Sequence, residues 1–412
     1  MVTEVVPSVR SVALGLWVRT GSRDEEPAQA GVSHFLEHLL FKGTKRHSAI
    51  EIAETFDGLG AAVNAATGKE STNLYARVLD THTEEAFDLL AEMLLGPTYP
   101  EIDSEREVVL EEIAMYEDEP SDRVHDVLDE AVFGDHPLGR RVLGRAEVIS
   151  SIPVPDISAY HQARYTTGNV VVAAAGNLEH ERIVELAGSH LKPPAGRPDG
   201  SGGTPPSVNG AEVGFYEKDT EQYHVCLGGE GISRGDERRY ALAILDATFG
   251  SSTSSRLFRE VREKRGLAYA VGSYTQQYVD GGMVGLYVGT REDNVEQACE
   301  VIGTELRRLH AEGIIADELT RAKEHVKGRM VLSAESTAAR MARIGKAVLF
   351  ETELLSLDEM IARVDAVGRD DVAELARDLY APESLSAAAV APSEDRFRSA
   401  LASVNESLAA AA

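Results

Sequence analysis

The chain has 412 residues, 43% of them hydrophobic, and this size and composition fit a folded protein of about two to four domains. Its formal net charge of −27 argues against nucleic acid or an anionic membrane as the main partner. No apolar run approaches the ~20 residues of a membrane span, and the first residues do not read as a signal peptide, so the sequence predicts a cytoplasmic protein. Cys226 and Cys299 are too few for a disulfide framework and are expected to be buried thiols.

Proline and glycine are dense in residues 193–210, a composition that sustains neither helix nor strand. This segment predicts a linker near the middle of the chain. We therefore expect an N-terminal domain over residues 1–192 and a C-terminal domain over residues 211–412, each of ordinary domain size.

The predicted elements follow the same order in both halves, and a repeat of this length indicates a duplicated domain. We expect an α+β fold of two homologous sandwiches, each with helices on one face of a mostly antiparallel sheet. The matching segments are strands Val12–Val18 and Tyr223–Leu227, loops Gly21–Glu25 and Ser233–Glu237, helices ending at Phe41–Thr44 and Phe249–Ser252, and helices Asp103–Glu117 and Ala316–Leu332.

The segment His34-Phe35-Leu36-Glu37-His38 carries the strongest chemical signal of the first half. Its apolar spacing predicts a helix, on which residues four apart lie one turn apart on the same side, so both imidazoles can reach one metal ion. Glu37 projects near that metal without needing to bind it, which suits a general base for water at a zinc ion. The alternative is a helix with two unconnected surface histidines.

A catalytic zinc needs a third protein ligand and keeps one position open. The predicted helix Asp103–Glu117 offers Glu105, Glu111 and Glu112. Glu105 and Glu112 are seven residues apart and hence share one face. Spacing alone leaves all three glutamates open as the third ligand, and such a run is also typical of a solvated helix face.

Residues Gly31–Thr44, with the sequence GVSHFLEHLLFKGT, resemble the pitrilysin, insulin-degrading enzyme and mitochondrial processing peptidase family, especially its bacterial members of two domains. Residues Glu105–Glu112 resemble the second metal segment of that family. The resemblance implies that Glu112 is the third ligand of one Zn²⁺ ion per chain, beside His34 and His38. It also implies that Glu105 does not bind the metal itself but lies next to the ligands and orients them.

The second half lacks the zinc motif, but residues Arg256–Tyr269 resemble another family pattern, an arginine and a tyrosine seven residues apart. The resemblance implies that Arg262 and Tyr269 bind substrate and act in catalysis. A guanidinium and a phenol can both donate hydrogen bonds to a peptide carbonyl as it becomes an oxyanion. Without the resemblance, these residues read as parts of an ordinary charged helix and a core strand.

Small residues in the segment Leu59–Thr67 can leave a strand edge open to an extended peptide. The resemblance places substrate at this edge, next to Asn64, Ala65 and Ala66. The alternative is a hairpin segment packed inside the sheet. Family members usually begin with further residues, whereas this chain starts almost inside segment Val2–Val6, so the outer edge of the first sheet is the part of the fold that the resemblance defines least.

These features together predict a zinc-dependent endopeptidase that hydrolyses extended, unstructured peptides. Larger relatives close four such domains into a chamber, so the resemblance implies that two copies of this two-domain chain pair as a homodimer. Each copy then supplies zinc to the other copy's Arg262 and Tyr269.

Other functions are compatible with the same sequence. The chain could be the catalytic subunit of a heterodimer with a sister chain, or a processing peptidase for basic, presequence-like segments that its acidic charge attracts. It could also be a non-catalytic subunit, although both motif sets are intact. The last possibility is a peptide-binding scaffold in which the helix histidines are accidental.

Overall fold

The computed structural model describes residues 1–100, 102–196, 198, 204–206 and 211–410. The chain forms two compact units, and neither is continuous in sequence. The first unit contains Met1–Ala114, Arg140–Gly203 and Leu332–Leu355, and the second contains Met115–Gly139, Thr204–Val331 and Ser356–Ala412.

The described residues alternate between strands and helices in the order that a duplicated α+β fold requires. The strands are β1 (Val2–Val5), β2 (Ser11–Val18), β3 (Ala62–Thr67), β4 (Thr72–Leu79), β5 (Val170–Gly176), β6 (Val213–Glu217), β7 (Gln222–Gly231), β8 (Ala268–Gln277), β9 (Gly282–Arg291) and β10 (Ser386–Ala391). The helices are α1 (Val32–Leu39), α2 (Ala49–Gly58), α3 (Thr83–Leu95), α4 (Ile102–Asp118), α5 (Pro120–Phe133), α6 (Ala146–Ile149), α7 (Val154–Arg164), α8 (His180–His190), α9 (Arg239–Asp246), α10 (Val295–Glu312), α11 (Ala316–Ser333), α12 (Thr337–Leu349), α13 (Leu357–Ala366), α14 (Arg369–Leu379), α15 (Glu394–Leu401) and α16 (Glu406–Ala410). Two π-helical segments, Ala247–Ser251 and Phe258–Glu263, follow α9.

Each unit is built on one five-stranded sheet. The strand order is β1-β5-β2-β4-β3 in the first unit and β6-β10-β7-β9-β8 in the second, so corresponding strands occupy corresponding places. β1 runs parallel to β5 and β6 runs parallel to β10, while the other pairs are antiparallel. The predicted fold of two homologous, mostly antiparallel sandwiches is confirmed.

One face of each sheet carries the main core. In the first unit, alternate residues such as Leu14, Leu16 and Leu74 point into an apolar cluster that includes residues of α1 and α3. In the second unit, Val225 and Val288 point into an equivalent cluster under α10 and α14. Because the side-chain period of a strand is two, the remaining residues of each strand face the other side.

A helix from the other half of the sequence covers this opposite face in each unit. α12 packs across β1, β2 and β5, and α5 packs across β6, β7 and β10. Glycine makes the close approach possible, since a Cβ atom at Gly345 of α12 would lie 2.6 Å from Nε1 of Trp17. The sequence predicted helices on one face only, because local periodicity does not indicate packing between segments that are far apart in the sequence.

The two compact units therefore cross the predicted boundaries at residues 192 and 211. Part of the predicted linker 193–210 lies outside the described residues, and the domain limits stay a prediction.

Cys226 and Cys299 are buried, unpaired thiols, as expected, and burial raises the pKa of Cys299 to about 12. In the described part of the chain, every helix is too short or too polar to cross a membrane.

Candidate metal centre

The two predicted zinc-binding histidines lie on α1, which is held by its apolar side. Phe35, Leu36 and Leu39 are fully buried in the core of the first unit. His34 and His38 lie one turn apart on the remaining side, with their ring centroids 4.7 Å apart.

The first turn of α1 is capped by a residue well upstream in the chain. Gly31 precedes the helix with φ at 98°, a left-handed conformation that favours glycine, and it has no side chain to cap the helix. The Glu25 carboxylate takes that role, because it accepts hydrogen bonds from the backbone N–H groups of Gly31 and Ser33, both at 2.7 Å. Burial raises the pKa of Glu25 to about 7, against the opposing effect of these two backbone donors. Glu25 therefore fixes the backbone immediately before His34.

The three predicted metal ligands come together in the first unit. Oε2 of Glu112, on α4, lies 3.5 Å from Nε2 of His34 and 3.2 Å from Nε2 of His38. The three ligand atoms all lie within 4.8 Å of one another. Two imidazole nitrogens and one carboxylate oxygen fit a zinc ion that keeps its fourth position open.

The protonation of His34 suits metal binding. Burial, followed by the nearby His38, lowers the pKa of His34 to about 4, so its imidazole is neutral near pH 7. Nδ1 of His34 is buried and has no hydrogen-bond partner in the part of the chain that the structure describes. Its Nε2 atom is the one that faces Glu112, which is the arrangement that a ligand needs.

Glu105 holds the other histidine from behind. Its Oε1 atom lies 2.8 Å from Nδ1 of His38, which leaves Nε2 of His38 facing Glu112. Its Oε2 atom lies 2.5 Å from Nζ of Lys42, a residue that the sequence analysis did not single out. Glu111, the third candidate from the sequence, is exposed. Lys42 lies four residues after His38 in the sequence, and this spacing could have indicated that it lies near the same site.

Glu37 is half-buried beside the candidate ligands. Burial raises its pKa, and the Glu112 carboxylate acts in the same direction, while a hydrogen bond with Thr67 and the proximity of His38 lower it. A carboxylate whose pKa is raised is a stronger base than a free one, and this is the property that proton transfer near neutral pH requires.

The predicted substrate segment forms β3, the edge strand of the first sheet next to β4. Asn64 and Ala66 are exposed, whereas the side chain of Ala65 is buried in the core. A peptide at this edge could therefore meet the side chains of Asn64 and Ala66 but only the backbone of Ala65.

Arg262 and Tyr269 lie in the second unit and contact each other. The guanidinium carbon of Arg262 is 4.3 Å from the Tyr269 ring centroid and 4.7 Å from that of Phe258, and Nη1 of Arg262 donates to the Tyr269 carbonyl at 3.2 Å. The Tyr269 side chain is exposed, with 79% of its residue surface accessible. The arginine and tyrosine are thus paired and accessible, in a different unit from the candidate ligands.

Comparisons with known proteins agree with this arrangement. Residues 1–146 match the model of the family described as insulinase (peptidase family M16), and residues 151–326 match the model described as peptidase M16 inactive domain. An uncharacterized zinc protease of Streptomyces coelicolor is 43% identical over 97% of this chain and 89% of its own length. An uncharacterized zinc protease of Bacillus subtilis is also 43% identical, over 95% of this chain and 96% of its own length.

A crystal structure from Pseudomonas fluorescens, described as a peptidase M16 inactive domain, has the same fold, with a TM-score of 0.87 at 23% identity over 95% of both chains. The family models and the full-length relatives lead to one conclusion: this chain belongs to peptidase family M16.

Proposed function

We propose that the chain is a zinc-dependent endopeptidase in which Glu37 is the general base. The observation that carries the proposal is the group formed by His34, His38 and Glu112, whose ligand atoms lie within 4.8 Å of one another beside Glu37. The zinc protease names of the full-length relatives support the same metal.

A zinc ion in this group would polarise the scissile carbonyl and lower the pKa of water from 15.7 toward ~7. The residues of the chain transfer the proton and orient the ligands. Glu37 takes a proton from the attacking water and passes it to the leaving amine, a two-way role that its raised pKa favours. Glu105 fixes the ring of His38 through Nδ1, and Lys42 neutralises the second oxygen of Glu105.

The peptide would bind as an extended strand along the exposed edge of β3. Backbone hydrogen bonds of this kind suit an unfolded segment, because a folded substrate has already paired its own backbone groups. Arg262 and Tyr269 would donate hydrogen bonds to the carbonyl oxygen as it gains negative charge. We propose that they come from a second copy of this chain, so that a homodimer contains two active sites.

Zinc content and activity test the proposal together. The purified protein should contain about one zinc per chain and should cleave an internally quenched basic peptide, and a chelator should abolish the cleavage until zinc is restored. Glu37→Gln should keep the zinc and lose cleavage by at least ~10²–10⁴-fold, because it removes the base and leaves the ligands. Glu54→Gln, on the exposed side of α2, is the matched control. Wild-type cleavage by Glu37→Gln would show that the base is wrongly assigned.

Mixing two inactive variants tests whether the site is shared between copies. If the zinc site of one copy works with Arg262 of the other, a dimer of one Glu37→Gln chain and one Arg262→Ala chain has one complete site and one site with both defects. Random exchange of subunits should then restore about a quarter of the wild-type rate. Sites built within a single copy would give no recovery, since each chain then carries its own defect.

A further inference from the structure

A cavity of about 470 Å³ opens in the second unit, between α5 and the edge strand β6. The helix and the strand run in opposite directions beside it. Near the start of α5, the guanidinium carbon of Arg123 lies 4.9 Å from the centroid of the Tyr216 ring. One helical turn further along, a Cβ atom at Gly214 would lie 2.7 Å from Cγ1 of Val127. The cavity is therefore a groove that follows both elements, and its volume is typical of a ligand site.

The two ends of this groove carry opposite charges. Arg123 lines one end, and Glu130 lines the wall two turns of α5 further along, ~10.5 Å away along the helix axis. Glu212 lies just before β6 and lines the same end as Glu130, because α5 and β6 run in opposite directions. Both glutamates are exposed, whereas 12% of the Arg123 side-chain surface is accessible. A ligand with an anion at one end and a cation at the other matches this arrangement.

The wall between the charged ends is apolar, and an open strand edge lies next to it. In the described part of the chain, β6 pairs with β10 only, so its other side offers backbone N–H and C=O groups to an extended ligand. The apolar wall consists of Val127, Ala131, Val132, Val213 and Phe215.

Two donor atoms of Arg123 have no partner. Its Nε and Nη1 atoms are buried and make no hydrogen bond to any described residue. Oδ2 of Asp126 lies 3.6 Å from Nη1, beyond hydrogen-bond distance. A buried donor that makes no hydrogen bond is costly, and a ligand carboxylate would remove this cost through charge-assisted hydrogen bonds.

The first unit shows which group such an arginine binds. Arg340 of α12 and Arg123 of α5 each lie four residues after the residue that caps the helix. The Glu4 carboxylate, on edge strand β1, accepts hydrogen bonds from Arg340 and from Nη2 of Arg343, the latter at 2.7 Å. In the second unit, the edge strand β6 brings Tyr216 to the arginine instead of a carboxylate. A ligand can therefore supply the carboxylate that this unit lacks.

We infer that the groove binds a short apolar peptide with both termini free, its carboxylate at Arg123 and its ammonium at Glu130 and Glu212. Each residue of an extended chain advances ~3.3 Å, so a tripeptide holds its terminal charges ~10 Å apart, close to the separation in the groove. A single amino acid carries both charges on one carbon and is too short to reach both ends. The groove contains none of the candidate metal ligands, so the inference stands whether or not the chain is a peptidase. A peptidase would itself release peptides of this class.

Calorimetric titration of the zinc-loaded, full-length protein with the tripeptide Leu-Ala-Leu tests the inference. The free peptide should bind at one site per chain. Amidation of its C-terminus should weaken binding about tenfold or more, because it removes an ion pair with a mostly buried guanidinium. Acetylation of its N-terminus should weaken binding only about two- to fivefold, because both glutamates are exposed. A peptide whose affinity ignores both changes would overturn the inference.

Arg123→Met assigns the site, because it should weaken binding of the free peptide about tenfold and abolish the further effect of amidation. The matched control is Arg340→Met, which should bind like the wild type, since Glu4 already occupies Arg340. Ala131→Leu fills the middle of the groove and should weaken the free and the blocked peptides alike. Full affinity in both Arg123→Met and Ala131→Leu would contradict the inference.

Zinc removal separates this groove from the candidate metal centre. The zinc-free protein should bind the tripeptide as tightly as the zinc-loaded protein. Binding that disappears with the metal would place the peptide at the metal centre and overturn the inference.

Discussion

The proposed zinc-binding helix α1 and its counterpart α9 differ in the side chains that a metal site needs. Matching Phe41 with Phe249 brings buried Leu36 of α1 onto buried Ile244 of α9. The residues that would do chemistry are replaced, since His34, Glu37 and His38 correspond to Leu242, Leu245 and Asp246. Leu242 and Leu245 are buried, and the Asp246 carboxylate accepts a hydrogen bond from the Ser273 hydroxyl at 2.5 Å.

The helices that face them differ in the same way. Glu318 of α11 matches Glu105 of α4, because each begins a row of buried residues spaced four apart, Glu105-Val109-Ile113 and Glu318-Ala322-Val326. Glu105 supports His38, whereas Glu318 forms a buried, two-pronged pair with Arg256 at 2.8 and 2.7 Å. The duplicated acid has a proposed metal ligand, His38, as its partner in one unit and a guanidinium in the other. The same backbone position therefore carries an acid in both units, and the side chain that contacts this acid determines its role.

The largest expected difference concerns the position of the third ligand. Glu112→Gln should not retain zinc when the metal is present only at trace concentrations. Its rate of peptide cleavage should fall by more than the ~10–100-fold that loss of a supporting residue causes. The matched control is His325→Gln, because His325 is the residue of α11 that corresponds to Glu112 and its side chain is exposed. Metal analysis and cleavage rates measure both variants. Full zinc in Glu112→Gln would remove this residue from the ligand set.

A second prediction separates the two acids that begin these helices. Glu318→Gln should lower the free energy of unfolding by ~3–5 kcal/mol, because it leaves the Arg256 guanidinium buried without its counter-charge. Its zinc content should stay at the wild-type level. Glu105→Gln should show the reverse pattern, with zinc binding weakened ~10–100-fold. Urea unfolding and zinc titration distinguish the two, and equal effects on both measurements would contradict the division of roles.

Much of this comparison could be predicted from the sequence, because the signals are local. The repeated order of elements, the spacing of His34 and His38 on one helix face, and the missing motif in the second half all depend on neighbouring residues. Glu112 required the resemblance, because Glu105, Glu111 and Glu112 differ only in the direction in which each side chain points from α4.

The parts that the sequence analysis missed depend on contacts and packing that no local period indicates. Trp17 meets Met341 across 324 positions, and no local period indicates that α12 covers a sheet from the other half. Glu25 caps α1 from eight positions before Ser33, through a carboxylate that reads in sequence as one more surface charge. The burial of Ala65 between exposed Asn64 and Ala66 follows from the period of a strand, once the strand is known to lie at an edge.

Glu25 and its counterpart in the second unit should differ in how they change the free energy of unfolding with pH. This counterpart, Glu237, is exposed, whereas Glu25 is only 4% exposed. Burial raises the pKa of Glu25 from 4.5 to about 7, so the folded state binds more protons than the unfolded state between these values. Stability from this group is therefore full below about pH 4.5 and falls by ~3 kcal/mol as the pH rises through 7.

Unfolding of the metal-free protein at several pH values measures this effect. The difference in unfolding free energy between the wild type and Glu25→Gln should shrink as the pH rises from 5 to 8, while Glu237→Gln should track the wild type throughout. A constant difference for Glu25→Gln would show that the carboxylate keeps its charge in the folded state, held by the Gly31 and Ser33 N–H groups.

The smallest expected effect tests whether support for the metal extends beyond Glu105. Lys42→Met keeps the aliphatic length of the side chain but removes the ammonium that lies 2.5 Å from Oε2 of Glu105. Glu105 then loses the charge that fixes its orientation toward His38, and we expect zinc binding to weaken by about tenfold. Competition with a chromophoric chelator measures the affinity, and Lys45→Met, at an exposed position three residues further along, is the control. An unchanged affinity would mean that Glu105 orients His38 without Lys42. A tenfold loss of zinc affinity with an unchanged free energy of unfolding would instead show that Lys42 supports the metal site. The corresponding residue of the second unit is Gly250, which has no side chain for this role.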